Sequence, residues 1–273
     1  MGEIQIISEG GGWYDKSGNP QYNVPNKSKP GETRPTTKRD AKKNDWIPSV
    51  TKIGKENVNT GLQRWIENQI LECAATNPYP RKNEDWIDVI RADAKEQAIK
   101  AANKGTLIHG DIEKFFKVDF PVDNDNIQKC INVANILYDD YGISTKDIET
   151  EKSFAGSIEF SISDEKMLWF GGKMDLPALL KNFIADIKTT EFTLNDSNET
   201  IKKGKKAKLF YEDQLIQLAG YSLGCDLKSP TLINIFVSTI EDSVSVKEWT
   251  KEEIAYGTEI FKTLLKLWWL KNT

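Results

Sequence analysis

The chain has 273 residues, 38% of them hydrophobic and 29% charged, with a formal net charge of −4. That balance suits one large globular core with appendages and excludes an intrinsically disordered polypeptide. It also excludes a uniformly basic nucleic-acid binder, though not a site of acidic ligands flanked by local basic clusters.

No apolar run approaches a membrane span, and the N-terminus lacks the charged-then-apolar pattern of a secretory signal, so no membrane partner is expected. Cys73, Cys130 and Cys225 lie far apart and leave one thiol over from any pairing, which predicts a reducing, cytoplasmic setting.

In chain order, residues 1–45 are rich in Gly, Pro, Asn, Lys and Thr and predict an extended basic arm, with a short hairpin around Trp13 to Tyr22. Its basic run passes through Arg34, Lys38, Arg39, Lys42 and Lys43. Residues 46–142 predict a helical region. Pro48-Ser49-Val50-Thr51 opens it, and Asn59 or Thr60 caps a helix to about Thr76 with Leu62, Trp65, Ile66 and Ile70 as its apolar stripe. A longer helix is expected from about Glu84 to Phe116, interrupted near Gly105, and another from about Asp125 to Tyr141, ended by Gly142.

Residues 143–273 change texture to an α/β pattern. Ile148 to Phe160, Lys166 to Leu179 and Asn182 to Lys188 read as strands. A lysine-rich loop follows, then a helix from about Leu209 to Leu223, a β-rich run from Pro230 to Thr239 and a closing helix over Lys251 to Lys271.

The informative segment is Gly172-Lys173-Met174-Asp175 followed by Ile184-Ala185-Asp186-Ile187-Lys188. Strand side chains alternate faces, so Asp186 and Lys188 share one side while Phe183, Ala185 and Ile187 turn to the other. Alone, an Asp-x-Lys is an ordinary solvated ion pair; beside a second aspartate one strand away it is able to hold a divalent cation next to an ammonium. His109, the chain's single histidine, shares a helical face with Glu113, and Gln217 shares one with Tyr221. Each pair by itself reads equally as ordinary helix surface.

Together, the His109 helix, the Gly-x-x-Asp strand, the Asp-x-Lys strand and the Gln-x-x-x-Tyr helix resemble the RecB-like branch of the PD-(D/E)XK nuclease superfamily, in family order over roughly residues 105–239. Ile47-Pro48-Ser49-Val50-Thr51 and Leu62-x-x-Trp65 are similar to bacteriophage-encoded exonucleases of this type and to the mitochondrial genome maintenance exonuclease. The resemblance implies a PD-(D/E)XK core, a central mixed β-sheet flanked by helices, with an N-terminal helical region. It implies His109, Asp175 and Asp186 as metal ligands with the Ile187 carbonyl, Lys188 as the catalytic lysine, and Gln217 and Tyr221 as supports touching the nucleic-acid backbone. Glu151 matches a glutamate frequent in relatives, although Glu149 or Glu159 aligns as well; Glu113 is a further candidate support.

The implied cofactor is one or two Mg²⁺ or Mn²⁺ ions, and a lysine beside a metal is expected to have a lowered pKa, suited to orienting and deprotonating water. Three scattered cysteines argue against an iron–sulfur cluster, and the lack of a Gly-x-x-x-x-Gly-Lys-Ser/Thr loop against ATP use. Lys202, Lys203, Lys205, Lys206 and Lys208 are candidate phosphate contacts or a solvated loop; Trp13, Tyr14 and Trp46 are candidates for base stacking or core packing. The resulting expectation is a phage-encoded, metal-dependent DNA exonuclease acting on single- or double-stranded DNA in the host cytoplasm, with a recombination or replication partner. An endonuclease on the same core and a non-cleaving DNA-binding or assembly module are the alternatives.

Overall fold

The computed structural model describes residues 12–57, 60–76, 86–117, 125–160 and 166–272. The possible cap at Asn59, the helix start at Glu84 and the first eleven residues of the arm lie outside these.

The N-terminal part comprises β1 (Trp13–Tyr14), β2 (Asn23–Pro25), β3 (Thr33–Pro35), α1 (Lys38–Asn44), β4 (Ile47–Pro48) and α2 (Val50–Gly54). The described part of the arm is therefore folded. Tyr14 bridges to Pro20 as a short hairpin would, but the main partner of β1 is β4, and the hairpin proper is β2–β3. A capping box between Thr37 and Asp40 starts α1, and Arg34 grips Asp40 with two hydrogen bonds of 2.7 and 2.8 Å. Trp13 and Tyr14 are buried, and Trp46 packs against the same core. Packing accounts for the Trp13 and Tyr14 rings, which are not free to stack on bases, while Trp46 is only partly buried.

Two long helices follow, α3 (Thr60–Thr76) and α4 (Trp86–Phe116), then α5 (Ile127–Tyr141), which Gly142 ends in the left-handed conformation. The α4 helix runs unbroken through Gly105. A glycine costs a helix about 1 kcal/mol but does not break it, and here it serves an approach to a neighbouring strand described below.

The rest of the chain builds the sheet. β5 (Lys152–Phe160) pairs antiparallel with β6 (Lys166–Met174); after Asp175 the same strand continues as β7 (Leu176–Ala178) and pairs with β8 (Phe183–Thr190). A small meander, β9 (Thr193–Leu194), β10 (Thr200–Lys202) and β11 (Lys205–Lys206), replaces the expected lysine-rich loop. Then come α6 (Glu212–Gly224), β12 (Thr231–Ser238), β13 (Val244–Glu248) and α7 (Lys251–Asn272). β12 lies parallel to β8 and antiparallel to β13, giving a mixed sheet in the order β13-β12-β8-β7 within an α/β fold. Strand β13 escapes the sequence pattern because its Val-Ser-Val-Lys-Glu stretch is short and half-exposed.

Alternation along β8 and β12 sorts the core into two layers. Ile184 and Leu232 join Val50, Ile53, Phe170, Leu218, Phe261 and Trp268, under α2, α6 and α7. Phe183, Ala185, Ile187, Ile233, Ile235 and Val237 join Ile108, Ile112, Val133 and Leu137, under α4 and α5. Asp186, Asn234 and Lys188 share the alternation of Ile184, so they face the α6 layer. Trp268 is buried, meeting Trp13 edge-on at 6.0 Å, while Trp269 is partly buried and donates to the Trp169 carbonyl.

Candidate active site

The site forms where two strands part. β7 pairs with β8 only as far as Leu176 and Ala185, so beyond that point β8 has an open edge. Asp175, at the junction of β6 and β7, closes it: its Oδ2 accepts the Ile187 backbone N–H over 2.8 Å. In a strand the N–H and C=O of one residue leave on the same edge, so the Ile187 carbonyl also faces the side Asp175 occupies.

Lys188 Nζ lies 2.7 Å from Asp186 Oδ2 and donates to Gln217 Oε1 over 2.9 Å. Gln217 Nε2 donates to the Tyr221 hydroxyl over 2.6 Å, and Tyr221 shares a further side-chain hydrogen bond with Thr51. The four-residue spacing on α6 is what aligns Gln217 with Tyr221, and α6 is held down by Leu215, Ile216, Leu218 and Ala219. Gly172 on β6 leaves room for the Tyr221 ring, since a Cβ there would sit 2.9 Å from its Cε1.

His109 enters from the opposite layer. Ile108, Ile112 and Phe116 seat α4 on the sheet, and Gly105 lets the helix backbone approach Thr189: a Cβ at that position would stand 2.5 Å from Thr189 Oγ1. His109 Nδ1 thereby comes within 3.8 Å of Asp175 Oδ2. Glu151, whose N–H donates to the Asp175 carbonyl, forms an ion pair with Lys173 beside the site. Glu113 stands one helical turn beyond His109, and its carboxylate pairs with Lys117.

The electrostatics follow from crowding two carboxylates in a poorly hydrated place. Burial, then the charge of Asp186, pushes Asp175 up to about 8; Lys188 and the Ile187 N–H only partly oppose this. Burial holds the His109 imidazole below its ordinary value, with Asp186 pulling the other way. Burial also works to lower Lys188, but Asp186 and Asp175, helped by Asp213 on the first turn of α6, outweigh it and leave its pKa raised. This rise comes from the protein's own charges; the lowering expected of Lys188 is the effect of an adjacent metal ion. Tyr221 is driven well above its usual range by burial and by the same two aspartates, so its hydroxyl keeps its proton.

Among the described residues, no group of three or more His, Cys, Asp or Glu side chains is gathered closely enough to hold a metal ion. Lys188 and Asn234 occupy Asp186 Oδ2, and the Ile187 N–H occupies Asp175 Oδ2. The donor chemistry nonetheless suits a hard cation, with two carboxylates and a backbone carbonyl beside one ammonium.

The lysines of the meander are all exposed. Lys203 and Gly204 both take positive φ, at 48° and 73°, the two-residue turn that matches strand twist, and place Lys202 to Lys206 on a basic hairpin. Lys202 donates to Thr190 and Lys206 pairs with Glu199; Lys208 lies over the Phe210 ring at 4.3 Å. Phe192, Leu209 and Phe236 form a small core beneath the hairpin.

Two residues went unread in the sequence. Asn234 Nδ2 donates to Asp186 Oδ2 over 2.8 Å, and the Trp249 indole N–H donates to Asn234 Oδ1, also over 2.8 Å. The available signal was the asparagine itself, set in the apolar run Leu232-Ile233-Asn234-Ile235-Phe236, since a polar side chain there demands a buried partner.

No family model matches the chain, and no curated protein matches it. Among solved structures it is similar to that of SSO0001, at 13% identity and a TM-score of 0.31, covering 76% of this chain and 87% of that one. A likeness that weak carries no argument. No helix among the described residues is long and apolar enough to cross a membrane.

Proposed function

We propose that this chain is a nuclease of the PD-(D/E)XK type, RecB-like branch, and specifically a metal-dependent DNA exonuclease that hydrolyses phosphodiester bonds. The observation that carries the reading is the Lys188 ammonium held between Asp186 and Gln217, with Asp175 and His109 converging on the same strand edge from two other elements. Ordinary surface ion pairs do not gather such groups from several helices and strands around a partly buried point.

His109, Asp175, Asp186 and the Ile187 carbonyl are the residues that would hold Mg²⁺ or Mn²⁺, which supplies an acidified water and neutralises charge on the phosphate. The chain's own groups do the rest. Lys188 stays charged, donates a hydrogen bond and orients the attacking water while opposing the growing negative charge. Gln217, fixed by Tyr221, holds Lys188 in place through its amide oxygen and so limits the positions the ammonium can take. Phosphates beyond the scissile one fall to the basic hairpin, on which Lys205 is exposed and Lys203, also exposed, reaches Glu72 at 3.5 Å.

The test is cleavage of end-labelled linear DNA, single- and double-stranded, beside a covalently closed circle, with Mg²⁺, Mn²⁺ or EDTA, for wild type and Asp186→Ala. Metal-dependent loss of linear DNA alone, abolished in the variant, is the expected result. Cutting of the circle favours an endonuclease, and no cleavage at all overturns the enzymatic reading.

A further inference from the structure

Asn234 is fully buried in the middle of β12, in register with Asp186 on the parallel strand β8. Its amide has two ends, and the indole of Trp249 decides which end faces which neighbour. An indole N–H can only donate, so Asn234 must turn Oδ1 to Trp249 and Nδ2 to Asp186, as both 2.8 Å contacts record. Trp249 is itself locked, edge-on to Phe210 at 5.8 Å and under Lys247 at 4.7 Å, while Lys247 is tied to Glu253 at 2.9 Å.

The consequence falls on one carboxylate. Asp186 Oδ2 takes two donors, Asn234 and Lys188, whereas no hydrogen bond from a described residue reaches Oδ1. We infer that Trp249 and Asn234 form a positioning relay that pins Asp186 Oδ2 and thereby presents Oδ1 to a divalent cation. The relay rests on the nuclease reading for the identity of its client. It gives a role to a buried, hydrogen-bonded polar pair at the α6 layer.

The experiment uses Mn²⁺ alone, without DNA, and reads the free-ion electron paramagnetic resonance signal against the full-length protein. Circular dichroism and melting curves establish which variants are folded. Asn234→Leu should weaken Mn²⁺ binding about 10–100-fold, the range found when an outer partner of a metal ligand is removed. Trp249→Phe, which frees the amide to rotate, should weaken it less, and adding it to Asn234→Leu should cause no further loss. In ¹⁵N spectra the Trp249 indole resonance should shift on Mg²⁺ addition in wild type and stay fixed in Asn234→Leu. Should Asn234→Leu fail to fold, Trp249→Phe and the indole shift carry the test. Folded variants that bind Mn²⁺ as wild type does would overturn the relay and leave the nuclease reading intact. A wild-type protein that binds no Mn²⁺ but cleaves DNA would also overturn the relay; one that neither binds nor cleaves overturns both.

Discussion

Asp175 accepts the backbone N–H of Ile187 through Oδ2 at 2.8 Å, so a side chain completes the edge of β8 at the point where β7 stops pairing. A carboxylate used in this way is structural and chemical at once. Its burial beside Asp186 makes its charge a cost to the fold.

Stability of the metal-free protein should therefore fall as pH rises. Asp175 is pushed up to about 8 from an unfolded value near 3.8, so between those values the folded chain retains a proton that the unfolded chain releases. The stabilising contribution is complete below about pH 4 and is lost through about pH 8. Urea melts across this window should show the decline, and Asp175→Asn should flatten it. Mg²⁺ should restore more stability at pH 8.5 than at pH 5.

Lys188→Ala should bind DNA at close to wild-type affinity while losing cleavage by about 10²–10⁴-fold, the usual worth of a positioned proton donor or acceptor. Single-turnover cleavage beside a filter-binding titration separates the two quantities. Near-wild-type turnover would remove Lys188 from the centre.

Gly105→Ala tests how α4 is seated. Helix propensity alone makes the change stabilising by about 1 kcal/mol, but the new methyl would meet Thr189 Oγ1 at 2.5 Å. Overlap of that kind costs about 1–3 kcal/mol, so the net change should be neutral to destabilising, with His109 displaced. Adding Thr189→Ala removes the obstruction and should return both stability and cleavage.

Replacing Lys202, Lys203, Lys205 and Lys206 with Gln should lower DNA affinity and flatten its salt dependence. Every ammonium that no longer neutralises a phosphate reduces the slope of log K against log salt by about 0.7–0.9. An unchanged slope would return the hairpin to the status of a solvated turn.

How much of this was readable in the chain depends on the distance over which each relationship acts. Asp186 beside Lys188 and Gln217 beside Tyr221 follow from the two- and four-residue periods of strand and helix, and the structure pairs each at 2.7 and 2.6 Å. Asn234 with Trp249 has no local period to betray it, because β12 and the end of β13 meet only in the folded sheet. Composition misled twice, once in the arm and once inside the helical region. The Gly- and Pro-rich stretch after residue 12 folds around the buried rings of Trp13 and Tyr14, and Gly105, which looks like a breaker, is a close-packed position inside a continuous helix.

The strand that changes partners at Asp175 also sets the order in which the centre can come into being. Its first half belongs to a ribbon that closes locally with β5, but its second half needs β8, and β8 in turn needs β12, which arrives only after the hairpin and α6 have been laid down. Closing such a distant parallel pair is entropically late. A nascent copy can therefore set Asp175 and Asp186 on the local β7–β8 hairpin, but Gln217, Tyr221 and Asn234 join them only once α6 and β12 have followed.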